Sequence, residues 1–234
     1  MSVEINHLYK TIGKQEILHD INLSIPSGQV LGLLGPNGAG KSTLMKILTG
    51  YWTIDSREDT QVSVCGVDMR QNAHDVTSHV GYLPENNPLY DDMYVREYLL
   101  FMSEISGVPR DERAARVDYL ISQVGITREK NKKIHQLSKG YRQRIGLAQA
   151  MMGNPEVLIL DEPTTGLDPN QLDEIRSLIK TLGQDRTVIL STHIMQEVKE
   201  MCSRVVILNY GHITADETDI SNIDLEQLFR DKTH

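Results

Sequence analysis

Cysteine is scarce in this sequence, and no long apolar run occurs in it. The 234 residues include two cysteines, Cys65 and Cys202, which lie far apart and outside any CxxC spacing. We therefore expect both to be reduced and structural, with neither a disulfide nor a metal site. No apolar stretch approaches the roughly 18 residues that a membrane-spanning helix needs. Residues 1–7 lack the basic and apolar regions of a secretory signal, which favours a cytoplasmic location.

Basic residues are fewer than acidic ones in this sequence. Lysine and arginine number 24 against 32 aspartates and glutamates, which gives a net charge of −8 and a pI near 5.5. An acidic chain is repelled by nucleic-acid phosphates and by anionic lipid headgroups. We therefore expect no nucleic-acid partner, and we expect any contact with a membrane to be made through a protein.

Continuous apolar runs and helical periodicities alternate along the chain. Because a strand buried on both faces reads as an unbroken apolar run, these runs indicate a mainly parallel core sheet with crossover helices. Shorter segments that alternate apolar and polar residues indicate a small antiparallel sheet. The core strands are expected at 30–34, 157–160, 188–190 and 205–208, and the antiparallel strands at 3–5, 21–25 and 62–64.

Two later segments have helical spacing. Apolar residues recur at three- and four-residue steps from about 94 to 124, with an interruption between Gly107 and Pro109. A second helix is expected to begin with Asp168 as its N-cap and Pro169 as its first residue. It is expected to end at Gly183, in the role of a C′ glycine.

A glycine-rich motif follows the apolar run at 30–34. It fits the pattern G-x-x-x-x-G-K-[ST], in which backbone N–H groups and a helix N-terminus surround phosphate groups. Lys41 would neutralise the β- and γ-phosphates, and the hydroxyl of Ser42 would bind Mg²⁺. The residues expected to contact the nucleotide here are Gly35, Pro36, Asn37, Gly38, Ala39, Gly40, Lys41, Ser42 and Thr43.

A pair of carboxylates ends the apolar run at 157–160. The carboxyl ends of parallel strands face the ligand in α/β proteins. Asp161 is therefore expected to hold Mg²⁺, and Glu162 to act as the general base that polarises the attacking water. Because an acidic pair after a strand is commonly structural, the glycine-rich motif upstream is what favours a catalytic role.

The segment 137–144, which reads LSKGYRQR, resembles the signature motif of the ABC ATPases, usually written LSGGQ. It is followed by LDEPTTGLD at 160–168 and by STH at 191–193, in the order and spacing of that family. The resemblance implies an α/β P-loop NTPase fold with a mainly parallel core sheet, an antiparallel β subdomain and a helical subdomain that carries the signature. It places the ATPase domain at 1–220, the helical subdomain at about 86–145 and a short C-terminal segment at 221–234.

The resemblance also implies roles for residues outside the glycine-rich motif. Two copies of such an ATPase hold two ATP molecules between them, so Ser138 and Gly140 would bind the ATP of the other copy. His193 would contact the γ-phosphate as a catalytic residue, and Asp168 would couple the two sites. A helix start with a free hydroxyl and an unobstructed N–H suits an anion, which agrees with this role for the signature.

Three features depart from the family pattern. In the signature, Lys139 replaces a glycine and Tyr141 the glutamine, and the added positive charge of Lys139 is compatible with a triphosphate. Glu85 occupies the Q-loop position, where most members have glutamine, and a carboxylate there would remain an oxygen ligand for Mg²⁺. Ile12 occupies the position of the aromatic residue that usually stacks on adenine, so we expect loose recognition of the base. Tyr9 lies nearby but two or three residues out of register.

The implied function is that of the ATP-binding and ATP-hydrolysing subunit of an ABC transporter, with ATP and Mg²⁺ as cofactors. Its partners would be a second copy of itself or a paralogous ATPase subunit, and an integral-membrane permease that holds it at the inner face of the cell membrane. Residues 81–98 are most similar to ATPases of ABC-2 exporters, including those associated with gliding motility, which implies export.

Three other functions are weighed against this one. A soluble ABC ATPase of translation or DNA repair usually carries two cassettes or a long coiled-coil insertion, and neither is visible in the sequence. A P-loop GTPase or small-molecule kinase would leave the signature segment unexplained. A non-catalytic nucleotide-binding subunit would not need Lys41, Asp161, Glu162 and His193 together.

Overall fold

Two β-sheets organise the computed structural model, which describes residues 1–233. Four strands form an antiparallel sheet in the order β2-β1-β4-β5, and six form a sheet in the order β10-β9-β3-β8-β7-β6. The strands are β1 (Val3–Ile12), β2 (Gln15–Ile25), β3 (Val30–Leu34), β4 (Gln61–Val64), β5 (Val67–Asp68), β6 (Val80–Leu83), β7 (Val157–Asp161), β8 (Thr187–Ser191), β9 (Arg204–Asn209) and β10 (His212–Glu217).

The six-stranded sheet is parallel at every pairing except that of β9 with β10. All residues of β3, β7 and β8 are buried. This confirms the prediction of a mainly parallel core sheet, because only strands covered on both faces can be apolar throughout. The antiparallel sheet buries one face instead, with Val3 and Ile5 in the core and Glu4 exposed between them.

Eight α-helices accompany the sheets within the described residues. A short 3₁₀ turn at Ile134–Gln136 precedes the fifth of them. None of the described helices is both long and apolar enough to cross a bilayer. The helices are α1 (Lys41–Leu48), α2 (Met69–His79), α3 (Val95–Ile105), α4 (Arg113–Gln123), α5 (Lys139–Ala150), α6 (Pro169–Leu182), α7 (Met195–Met201) and α8 (Leu225–Thr233).

The interruption expected between Gly107 and Pro109 separates α3 from α4. Gly107 has a φ of +73°, which glycine adopts without the steric cost that other residues meet. The two helices pack against each other and against α5, and α5 lies on β6. Gly81 of β6 makes that approach possible, because a Cβ atom there would overlap the carbonyl oxygen of Ala150.

The ends of α6 agree with the sequence at one end and differ at the other. The side chain of Asp168 accepts a hydrogen bond of 3.0 Å from the backbone N–H of Gln171, as an N-cap does. Gly183 directly follows the last residue of α6, as expected, but it is the C-cap residue with right-handed backbone rather than the C′ residue that was expected. Its φ is −66°, and a Cβ atom there would overlap Cγ2 of Val30, so the glycine is needed for close packing against β3.

Candidate active site

The glycine-rich loop joins β3 to α1 at the carboxyl edge of the six-stranded sheet. Gly40 caps α1 with a φ of +105°, and Gly35 lies so close to β9 that a Cβ atom would overlap the carbonyl oxygen of Leu208. The loop therefore needs glycine at both positions. A concave cavity of about 360 Å³ lies on the loop. Its walls are Gln15, Ile17, Asn37, Gly38, Ala39, Gly40, Lys41, Ser42 and Thr43.

Lys41 lies half-buried over the loop. Its Nζ donates hydrogen bonds of 2.6 Å to the carbonyl oxygen of Gly35 and 3.1 Å to that of Pro36. Burial lowers the pKa of Lys41, and the negative charges of Glu162, Asp161 and Glu85 act against that shift. All three of these carboxylates are predicted site residues.

Asp161 lies buried at the end of β7, beside Ser191 at the end of β8. The Oγ of Ser191 donates to Oδ1 of Asp161 at 2.5 Å and accepts from the backbone N–H of Glu162 at 3.0 Å. Parallel pairing of β7 with β8 sets Asp161 directly opposite Ser191. The serine therefore fixes both carboxylate-bearing residues, a role that the sequence motif alone did not predict.

Glu162 and His193, for which the sequence predicts catalytic roles, contact each other at this edge. The Nδ1 of His193 lies 3.0 Å from both carboxylate oxygens of Glu162, and the hydroxyl of Thr165 donates to Oε2 at 3.1 Å. Glu162 has a φ of +49°, a left-handed conformation that costs a non-glycine residue roughly 1–3 kcal/mol. The backbone is thus held in an unfavourable conformation at the expected general base.

Glu197 is a site-supporting residue that sequence reasoning missed. It is fully buried in the first turn of α7, and its Oε2 accepts hydrogen bonds of 2.7 Å from the hydroxyls of both Thr164 and Thr192. The other carboxylate oxygen is buried with no hydrogen-bond partner among the described residues. The neighbouring apolar residues Val198 and Met201, which point α7 inward, are the sequence signal that could have revealed it.

The signature residues lie in a separate place. Ser138 precedes α5, Gly140 is buried in its first turn, and Gln171 of α6 covers both, with its amide 3.4 Å from the Oγ of Ser138. A cavity of about 250 Å³ includes Gly140 and Asp168, and no residue that lines it also lines the cavity on the glycine-rich loop. The structure thus brings Gly140 and Asp168 together and leaves them apart from Lys41.

Two of the departures from the family pattern, Glu85 and Ile12, occupy exposed positions. Glu85 is exposed just after β6, near enough to Lys41 to affect its pKa. Ile12 is 40% exposed at the end of β1, and it is absent from the lining of the loop cavity, where Gln15 and Ile17 stand instead. The guanidinium carbon of Arg57 lies 3.7 Å from the ring centroid of Tyr9, so one face of that ring is already covered.

Comparison with known proteins identifies the family. The family model described as "ABC transporter" matches residues 18–165. The chain is 34% identical to the uncharacterized ABC transporter ATP-binding protein YhcH of Bacillus subtilis, over 99% of this chain and 73% of that protein. It is 32% identical to the lantibiotic transport ATP-binding protein SrtF of Streptococcus pyogenes, over 98% of this chain and 96% of that one.

A solved structure agrees with these relatives. The structure described as the ATP-binding subunit of an ABC transporter superposes with a TM-score of 0.87 at 25% identity, and all of both chains is covered. The fold predicted from the sequence, that of a P-loop NTPase with a second antiparallel sheet and helices, is therefore confirmed. The chain belongs to the ABC transporter family and is an ATP-binding, ATP-hydrolysing subunit of that family.

Proposed function

We propose that this subunit works in a pair, with ATP held between two ATPase subunits, and that the pair drives a separate integral-membrane permease. The observation that carries the proposal is the separation of the signature cavity from the loop cavity within one chain. Ser138 and Gly140 lie at a helix start, which suits an anion. A phosphate bound by the glycine-rich loop of the same chain would lie in the other cavity. A second copy, or a paralogous ATPase subunit, would bring its own phosphates to that helix start.

Within each site, the residues divide the chemistry of hydrolysis. Glu162 would take the proton of the attacking water, and His193, which contacts its carboxylate, would donate a hydrogen bond to the γ-phosphate. Lys41 would leave the loop carbonyls for the phosphate oxygens. Backbone N–H groups within 35–43 would bind the remaining negative charge of the phosphates.

The metal expected at this site is Mg²⁺. Ser42, Asp161 and Glu85 would hold it, and a hydroxyl with two carboxylates is the hard oxygen donor set that this ion prefers. The ion would supply positive charge that offsets the phosphates in the transition state. Asp161 also accepts from Ser191, so its orientation is fixed whether or not it binds a metal.

The permease would hold the chain at the inner face of the cell membrane. We propose 1–220 as the ATPase domain, 86–145 as its helical subdomain and 221–234 as a C-terminal segment. The permease would dock on that subdomain and on 85–94, where the rings of Tyr90 and Tyr94 are 56% and 49% exposed. Export as the direction of transport rests on the similarity of 81–98 to ABC-2 exporters.

Flotation in a density gradient tests the role of the permease. The purified chain should float with native membrane vesicles from its source cells, because those vesicles contain the permease. It should not float with protein-free liposomes of the same lipids, or with native vesicles whose exposed proteins have been digested. Flotation with bare lipid would refute a protein anchor, and no flotation with native vesicles would favour the soluble ABC ATPase alternative.

A further inference from the structure

Three side chains with metal-binding atoms meet far from the nucleotide site. Cys65 lies in the turn between β4 and β5, His79 is the last residue of α2, and Glu156 directly precedes β7. One ligand atom from each lies within 4.8 Å of the other two. Because the three come from segments widely separated in sequence, no spacing motif in the chain reveals them.

The turn that presents Cys65 is short and well defined. Cys65 has a φ of +51° and Gly66 a φ of +80°, the arrangement of a two-residue turn with both central residues left-handed. Asparagine, aspartate and glycine favour that conformation, whereas cysteine does not. The backbone N–H of Cys65 donates a hydrogen bond of 2.8 Å to the carbonyl oxygen of Ser2, which fixes the turn against β1.

The imidazole and the carboxylate already have a geometry close to that of a metal site. The Nδ1 of His79 lies 3.1 Å from Oε2 of Glu156. Two ligand atoms at about 2.0–2.1 Å from a tetrahedral zinc ion lie about 3.3 Å apart, so this pair needs little movement to share an ion. The sulfur of Cys65 lies within 4.8 Å of both of these atoms. His79 is 30% exposed, so an ion can reach it from solvent.

We propose that Cys65, His79 and Glu156 form a binding site for a zinc-class divalent cation. A thiolate, an imidazole and a carboxylate favour zinc or cobalt over Mg²⁺, because Mg²⁺ prefers oxygen ligands throughout. Three protein ligands leave one tetrahedral position for water. The site is distinct from the predicted Mg²⁺ site, because the two lie at opposite ends of β7. Glu156 directly precedes the first residue of that strand, and Asp161 is its last residue.

Binding of the ion would connect the two sheets. Cys65 belongs to the antiparallel sheet, and Glu156 leads into the strand that carries Asp161. Burial, and then the charge of Glu156, raises the pKa of the Cys65 thiol, so the ion releases a proton when it binds. A bound ion stabilises the folded chain in proportion to its affinity, so unfolding should shift to higher temperature as zinc is added.

Titration with Co²⁺ tests the site directly, because cobalt replaces zinc and its bonds to thiolate absorb light. Nucleotide-free, tag-free chain should develop thiolate-to-cobalt charge-transfer absorption that saturates at one ion per chain. The absorption should be lost in Cys65→Ser. His79→Gln and Glu156→Gln should bind zinc about tenfold more weakly or worse, since each tenfold change reflects about 1.4 kcal/mol.

A matched control is available in the other cysteine. Cys202 is buried and does not belong to this cluster of ligands, so Cys202→Ser should keep the full absorption. ATP binding by each variant confirms that it is folded. If the wild-type chain shows no thiolate absorption with Co²⁺, or if Cys65→Ser keeps it, the cluster is only an ion pair between His79 and Glu156 with a thiol nearby, and the proposal is refuted.

Discussion

At the scale of single residues, the buried carboxylate of Glu197 connects two catalytic loops. Thr164 follows Glu162 by two positions, and Thr192 directly precedes His193. Both hydroxyls donate to the same oxygen of Glu197. Because these hydrogen bonds hold the segments that carry Glu162 and His193, we expect Glu197 to act as a positioning residue for that pair.

Replacing Glu197 should separate the effect of its hydrogen bonds from that of its charge. Glu197→Ala should lower kcat for ATP hydrolysis and reduce the free energy of unfolding by about 2–4 kcal/mol, since it leaves two buried hydroxyls without an acceptor. Glu197→Gln keeps an acceptor oxygen and should restore most of both. Steady-state kinetics and urea unfolding measure the two effects. A Gln variant as slow as the Ala variant would show that the charge matters instead.

The base-stacking position is the second feature at this scale. Ile12 has no aromatic ring, and stacking of a base on a ring is worth roughly 1–3 kcal/mol in single-strand nucleic-acid proteins. ATP and GTP should therefore compete at similar concentrations, and Ile12→Tyr should tighten ATP binding by up to about tenfold. Calorimetric titration of both nucleotides measures this, with Ile12→Leu as the control.

An unchanged ATP affinity in Ile12→Tyr would contradict the placement of adenine beside Ile12. The base would then lie against Gln15 and Ile17, which line the loop cavity. Tyr9 is a poorer alternative, because Arg57 covers one face of its ring.

Residues whose roles depend on the local chain could be predicted, and residues whose roles depend on neighbours in space could not. Asp161 was predictable because an apolar strand leads directly into it. Ser191 and Glu197 were not, because their contacts form only when β8 lies beside β7 and α7 brings Glu197 to the two threonines. Cys65, His79 and Glu156 belong to the same class, and the sequence led us to expect no metal site at Cys65.

At the scale of elements, the position of α5 on β6 depends on one glycine. Gly81 lies under the last turn of α5, where the carbonyl oxygen of Ala150 occupies the space that a Cβ atom would need. The same helix begins beside Ser138 of the signature. A small displacement at its far end would therefore also move the signature residues.

Gly81→Ala should be destabilising for this reason. Adding a methyl group to a tightly packed contact costs about 1–3 kcal/mol. The atom in the way here is the backbone carbonyl oxygen of Ala150, which cannot rotate away as a side chain can. We expect a loss of about 2–3 kcal/mol in the free energy of unfolding, measured in urea. Gly153→Ala is the matched control, because the nearest atom to a Cβ there is 3.9 Å away, and it should change stability little. Equal effects in the two variants would contradict this account.

The elements themselves were largely predictable from periodicity. The unbroken apolar strands and the helix ends at Gly107 and Asp168 follow from local chemistry. The role of Gly183 was not predictable in the same way, because a glycine after a helix is compatible both with a left-handed turn and with close packing. Only the position of Val30, on a strand far away in sequence, decides between them.

At the scale of the whole molecule, the two separated half-sites predict dimerisation driven by ATP. Glu162→Gln should bind ATP with little change, hydrolyse it roughly 10²–10⁴-fold more slowly, and accumulate as a dimer, because loss of a general base removes a factor of that size. Lys41→Ala should bind ATP poorly and stay monomeric. Size-exclusion chromatography with Mg²⁺ and ATP separates the two states, and Glu4→Gln, on an exposed strand position, is the control.

A Glu162→Gln protein that stays monomeric with saturating ATP would count against a nucleotide held between two copies. Rapid hydrolysis by this variant would instead show that another group activates the water. His193 is then the nearest candidate, because it lies 3.0 Å from the same carboxylate.

The order of strands in the central sheet has a consequence for synthesis on the ribosome. Strand β3, which leads into the glycine-rich loop, pairs with β8, and β8 in turn pairs with β7. The middle strand of these three is thus the last to be translated. At about 5–20 residues per second, β3 is synthesised roughly 8 to 30 seconds before this neighbour. A nascent chain that stops before Thr187 therefore carries Lys41, Asp161 and Glu162 without the strand that joins β3 to β7. We expect such a chain to hydrolyse no ATP before β8 is made.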